Sequence, residues 1–216
     1  MPFRPSRAAS FFALTWAGLV AAFVIPGQPL TTLLASAFLT RSATADTVAA
    51  TPVPLQPLAP EAMPLVDAAD VDAEMLWLAR CIFSETKEPV EQELVAWVLR
   101  NRVETEYRGA MTYEEAVLDP YQFSAFNPES GHRAFYSGLT PADATPGWRR
   151  ALAIARYVKA SPVSFRPFEG TTRHFYSEQS MVGRSHPDWA EGQEPVAVAR
   201  PVEIDAERFR FYADVR

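Results

Sequence analysis

Two patterns of apolar residues divide the chain. From Ala8 to Thr40 no residue is charged, and Phe11 to Ile25 is almost continuously apolar. Beyond Val71 the apolar residues take up helical spacing. Met75, Leu78, Ala79, Ile82 and Phe83 recur at intervals of three and four, and Asp72 is placed to cap the helix they predict. Pro89 stops that helix, because the residue before a proline avoids the helical region. A second helix is expected from about Val90 to Thr105, with Leu94, Val95, Val98, Leu99 and Val103 as its buried stripe. Thr112-Tyr113-Glu114-Glu115 is a capping box that opens a short third helix, ended by Asp119-Pro120. A fourth runs from Trp148 to Ala160 on Leu152, Ile154, Ala155 and Val158. After Ser161 the pattern becomes extended, around Phe175-Tyr176 and again from Arg208 to Tyr212. The expected fold class is mainly α with a small β element (α+β).

The first apolar run has the order of a secretory signal. Arg4 and Arg7 precede it, Pro26-Gly27 breaks it, and Ala43-Thr44-Ala45 is an A-x-A-like cleavage site. The alternative is an uncleaved membrane anchor with its arginines inside. The apolar heart is shorter than the roughly 20 residues of a full span, which favours export and cleavage. Either way the rest of the chain is expected outside the cytoplasm, as a periplasmic or membrane-anchored protein. Pro52, Pro54, Pro57, Pro60 and Pro64 oppose helix and favour extended geometry. The expected organisation is therefore a signal or anchor over 1–45, a linker over 46–70 and one folded domain over 71–216.

Charge and cysteine content narrow the chemistry. Residues from Asp46 onward carry 17 basic and 26 acidic side chains, a balance of −9. Nucleic acid is a poor partner for such a chain, because phosphate binding needs a basic surface. Cys81 is the single cysteine, so no internal disulfide forms. His132, His174 and His186 match no ligand spacing, and a structural zinc site needs more Cys and His than this. No metal and no cofactor are expected.

Glu85 is the most informative residue. It lies seven positions after Leu78 and three after Ile82, on the same side as the first helix's apolar stripe. Poor solvation there disfavours the charged form, and so does the negative end of the helix dipole. Both effects raise the pKa, and a protonated glutamic acid is what glycosidic cleavage needs. If the helix frays before Glu85, the side chain reaches solvent and neither effect operates; the spacing leaves both open.

Leu78-Ala79-Arg80, Ser84-Glu85-Thr86-Lys87-Glu88-Pro89, Arg100-Asn101-Arg102-Val103 and Gln122-Phe123-Ser124 resemble, in order and spacing, the cell-wall hydrolase family of the spore-cortex-lytic enzymes. His174-Phe175-Tyr176 and Pro187-Asp188-Trp189-Ala190 extend the resemblance, which spans about Leu76 to Ala190. It implies a lysozyme-like, lytic-transglycosylase-like domain acting on peptidoglycan, with Glu85 as the catalytic glutamate. Departures from the family pattern are Lys87 for glycine, Arg100 for leucine, Glu93 and Leu94 in a run of small residues, and the insert from Glu129 to Pro146.

The candidate substrate-binding residues are Gln122, Ser124, Phe126, His174, Tyr176 and Trp189. Gln122 and Ser124 lie in a loop after Pro120, where binding groups are common. Phe126 reads either as a core plug or as a sugar-stacking ring. Tyr176 and Trp189 fit a saccharide groove, although aromatics are more often core. Asn101 faces inward and reads as a structural tie between helices rather than a sugar contact. Glu88 reads as a solvated turn residue. Cys81, among Leu78 and Ile82, reads as a small buried hydrophobe rather than a peptidase nucleophile.

Hydrolysis by water needs a second carboxyl group across the scissile bond. Glu88, Asp119 and Glu178 are the candidates, and none is convincing. A lytic transglycosylase needs one glutamate, because the sugar's own 6-hydroxyl is the nucleophile and effective molarity replaces a second catalytic group. That route is the expectation. Its rivals are a hydrolytic muramidase, an inactive peptidoglycan-binding module and a periplasmic scaffold.

Overall fold

The structure is a computed structural model, and it describes residues 57–183, 185–199 and 208–215. The expected signal or anchor, its cleavage site and residues 46–56 of the expected linker lie outside the described residues. Among the described residues no helix is long and apolar enough to cross a membrane.

The domain is mainly helical with a two-stranded antiparallel sheet, an α+β arrangement. Helix α1 spans Ala73–Glu85 and starts as its cap requires: Oδ1 of Asp72 accepts from the Met75 amide at 2.7 Å. Its stripe, Met75, Leu78, Ala79, Ile82 and Phe83, is buried. Helix α2 spans Pro89–Glu104, with proline at the first turn where its missing N–H costs nothing. Helix α3, Tyr113–Leu118, carries both bonds of the Thr112–Glu115 capping box. Helix α4 is Arg133–Gly138 and α5 is Trp148–Ala160. α4 falls within the atypical insert and has no sequence cap. It is held from outside, where Arg80 Nη2 donates to the Leu139 carbonyl at 2.8 Å.

α1, α2 and α5 pack on one another and form the main core. α2 lies at its centre and is buried on more than the expected stripe. Glu91 to Leu99 are all buried, and Val103 is only partly so. The buried polar residues of its first turns are satisfied locally. Oε2 of Glu91 accepts from the Thr86 hydroxyl at 2.5 Å. Nε2 of Gln92 donates to the Thr86 carbonyl at 2.8 Å, and Trp97 Nε1 donates to Glu93 at 3.2 Å.

Strands β1 (Thr172–Tyr176) and β2 (Arg210–Ala213) pair antiparallel, with His174 opposite Tyr212 and Phe175 opposite Phe211. Alternation sends Phe175 and Phe211 to the main core, while Tyr176 and Tyr212 stack in a small second cluster with Ala190 and Val215.

The expected linker fails over its last part. Met63 is 2% exposed and Val66 5%, and both belong to the main core. Arg150 Nη1 donates to the carbonyls of Pro60 and Met63, and the Leu58 amide donates to the Tyr157 hydroxyl at 2.7 Å. Pro60 opens only a 3-10 turn, but Met63 and Val66, on either side of Pro64, carry the strip into the main core. The folded unit begins before Val71.

Candidate active site

Glu85 is the last residue of α1. The helix does not fray before it; Thr86 then turns extended, its amide still bonded to the Ile82 carbonyl. The Glu85 side chain is half-buried and lines a cleft of about 690 Å³. Arg102 of α2, the loop from Tyr121 to Asn127, and β1 with the segments after it form its wall.

The carboxyl of Glu85 is pushed up to about 7. Burial is the main cause. The charges of Arg102 and Lys87 and a hydrogen bond from Ser84 pull the other way without cancelling it. Arg102 is itself brought down to about 10, chiefly by burial, and so stays charged at neutral pH. Its Nε donates to the Arg173 carbonyl at 2.7 Å, and its guanidinium lies over Phe123 and Tyr107 at 5.0 and 5.5 Å from the ring centres. Arg102 stands in the quoted motif, yet its burial beside the cleft depends on β1, more than 60 residues further on.

Gln122, Ser124, His174, Tyr176 and Trp189 all line this cleft with Glu85. His174 Nε2 meets the Tyr107 hydroxyl at 2.9 Å. Burial, and then the neighbouring Arg102, Arg173 and Arg108, bring its pKa down to about 4, so the ring is neutral. Tyr176 donates its hydroxyl to Glu178 at 3.0 Å.

Phe126 is a core plug and not, as expected, a substrate-binding ring. It is 2% exposed and packs edge-to-face on Trp77, with ring centres 6.3 Å apart, and it does not line the cleft. The 3-10 turn Ser124–Phe126 points Ser124 out and Phe126 into the core. The exposed ring on this loop is Tyr121, 74% exposed and lining the cleft. Its φ of 64° is left-handed, a conformation a tyrosine rarely adopts. No periodicity marks Tyr121; its one sequence signal is its place in a loop after a proline.

Asn101 is fully buried and is a tie, but to β1 and the turn before it rather than between helices. Its Nδ2 donates to the carbonyls of Glu169 and Thr172 at 3.1 and 2.8 Å. Glu88 is exposed at the start of α2, away from the cleft. Asp119 is bonded to Arg108 at 2.5 Å. Glu178 is paired with Arg210 at 2.8 Å and His186 at 3.1 Å. Among the described residues lining the cleft, Glu85 is the one carboxyl group. Cys81 is fully buried, and burial pushes its thiol well up. A nucleophilic cysteine needs access and thiolate character, and Cys81 lacks both.

Compared with models of protein families, with curated proteins and with solved structures, the chain has no significant match.

Proposed function

We propose that the cleft cleaves the glycan strand of peptidoglycan between muramic acid and glucosamine, with Glu85 as its acid and base. The observation that carries this reading is a carboxyl group raised to about 7 and standing alone of its kind among the described residues of the cleft. An acid titrating near neutrality can give a proton and take one back. Polar side chains beside exposed or half-exposed aromatic rings, here Gln122, Ser124, Tyr121 and Trp189, suit a saccharide. The motif resemblance to the spore-cortex-lytic hydrolases and a lysozyme-like fold belong to the same reading, as do export and a substrate outside the cytoplasm.

In the first half of the reaction Glu85 protonates the glycosidic oxygen, the bond to the anomeric carbon breaks, and glucosamine leaves as the alcohol. In the second half the Glu85 carboxylate accepts the proton of the muramic acid 6-hydroxyl while that oxygen bonds to the anomeric carbon. The product is a 1,6-anhydro ring, and Glu85 ends as it began. Asp119 and Glu178 are both held in ion pairs, which favours this one-glutamate route over attack by water.

The deciding experiment is mass spectrometry of purified peptidoglycan digested in oxygen-18 water. Unlabelled 1,6-anhydromuramic ends support the transglycosylase. Label at a reducing muramic acid identifies a hydrolase. Intact strands from a folded protein support the binding-module or scaffold alternative.

A further inference from the structure

We infer that Arg102 is the receptor for a carboxylate carried by the glycan, so that the cleft selects acidic over neutral saccharides. This rests on the glycan reading above and adds the class of strand the cleft takes.

The charges of the cleft wall are unbalanced. The domain is acidic, yet the cleft wall carries Arg102, Arg108 and Arg208 against the single carboxyl of Glu85 among the described residues. Arg108 is paired with Asp119, and Arg208 with Glu91 at 3.2 Å. Arg102 forms no ion pair with a described residue, although it is only 5% exposed. A buried charge is costly unless paired, so most buried arginines sit on a carboxylate. Here the guanidinium uses Nε to anchor itself on the Arg173 carbonyl. The two Nη groups make no hydrogen bond with a described residue, and they are not sealed from solvent. They are left for whatever enters the cleft.

The surroundings keep that fork positive and rigid. The Tyr107 and Phe123 rings flank it, and both are fixed by further packing. His174, held neutral, adds no charge of its own beside it. The Glu85 carboxyl is half or more protonated below about 7, so it offsets at most part of the guanidinium's charge there. A planar fork with two free N–H pairs matches a carboxylate in geometry as well as sign. Muramic acid differs from glucosamine by a lactyl ether that ends in a carboxyl group. That group is free in peptide-free strands and linked to a peptide stem with its own carboxylates in others. Both sources offer the same chemistry at Arg102.

The test measures binding by calorimetry to the full-length chain with Glu85→Gln, so that the ligand stays intact. The ligands are chitotetraose, a peptide-free tetrasaccharide containing muramic acid, the same compound with its lactyl groups as methylamides, and a stem-bearing tetrasaccharide with its stem carboxylates free or amidated. A free acid should bind roughly tenfold or more tightly than its amide, the scale of a charge-assisted bond. A preference in the peptide-free pair assigns Arg102 to the lactyl group, and one confined to the stem-bearing pair assigns it to the stem. In Arg102→Gln the preference should vanish, and in Arg102→Lys part of it should remain. Should Arg102→Gln not fold, Arg102→Lys carries the test: a reduced preference supports the inference, and an undiminished one overturns it. Equal binding of acids and amides, with chitotetraose also bound, overturns the inference and leaves the glycan reading standing. A preference that persists in folded Arg102→Gln does the same. If no saccharide binds, both fall.

Discussion

The amide of Tyr121 donates to Oδ1 of Asn127 at 3.0 Å, and this bond closes the loop that holds Tyr121 in the left-handed region at the edge of the cleft. A tyrosine at φ 64° is strained, and strain of this kind collects where a side chain must be presented. Stability and binding should therefore part company at this residue. Tyr121→Gly should keep or raise thermal stability, by about 0–1 kcal/mol, because glycine accepts the conformation freely. The same change should weaken glycan binding, since the exposed ring is lost. Thermal melts and binding of one oligosaccharide to both proteins check this. Loss of stability with unchanged binding would remove Tyr121 from the site.

Glu85→Gln should reduce strand cleavage by 10²-fold or more, the scale of losing a general acid, and should do so in a folded protein. Zymography and product analysis measure it. Wild-type activity in the folded variant would end the assignment.

The pH behaviour of Glu85 carries its own sign. The folded carboxyl titrates near 7 and the unfolded one near 4.5, so the folded state holds the extra proton between those values. Stability of the wild type therefore falls, relative to Glu85→Gln, as pH rises from 4.5 to 7, and the gap levels off above. Its size is at most about 3 kcal/mol. Urea denaturation of both proteins across that range tests it. Cleavage should decline above about 7 for the same reason, because the ionised acid cannot start the reaction.

Cys81→Ala should leave cleavage near the wild-type level while lowering stability by about 1 kcal/mol, since it leaves a small gap in a filled core. The thiol in the folded protein should resist alkylation. A stable but inactive Cys81→Ala protein would restore a cysteine mechanism.

Deleting residues 1–70 should cost roughly 3 kcal/mol or more relative to deleting 1–56, because Met63 and Val66 leave the core and Arg150 loses its carbonyl partners. Equal melting temperatures for the two truncations would return this strip to the role of linker.

Helices α1, α2, α3 and α5 were legible because their signals are local; α4, in the insert and without a cap of its own, was not expected. Asp72 caps α1, Pro89 separates α1 from α2, the Thr112–Glu115 box opens α3, and each acts within a few residues. The direction of the Glu85 shift was half legible: residue spacing sets the helix face, but only the structure shows that the helix reaches Glu85. Other features needed the tertiary structure. Phe126 and Tyr121 sit five residues apart in one loop, and only packing against Trp77 and Asn127 decided which ring is buried and which is presented. Asn101 was legible as inward, but its partners lie 68 and 71 residues away. Arg102 became a buried cation on the cleft because β1 returned to cover it with the Arg173 carbonyl. The sequence by itself determined where the capped helices start and which of their faces are apolar, since nearest-neighbour sterics and hydrogen bonds decide those. Which polar groups share one cleft was decided by the tertiary structure, because burial depends on residues that only the folded chain brings together.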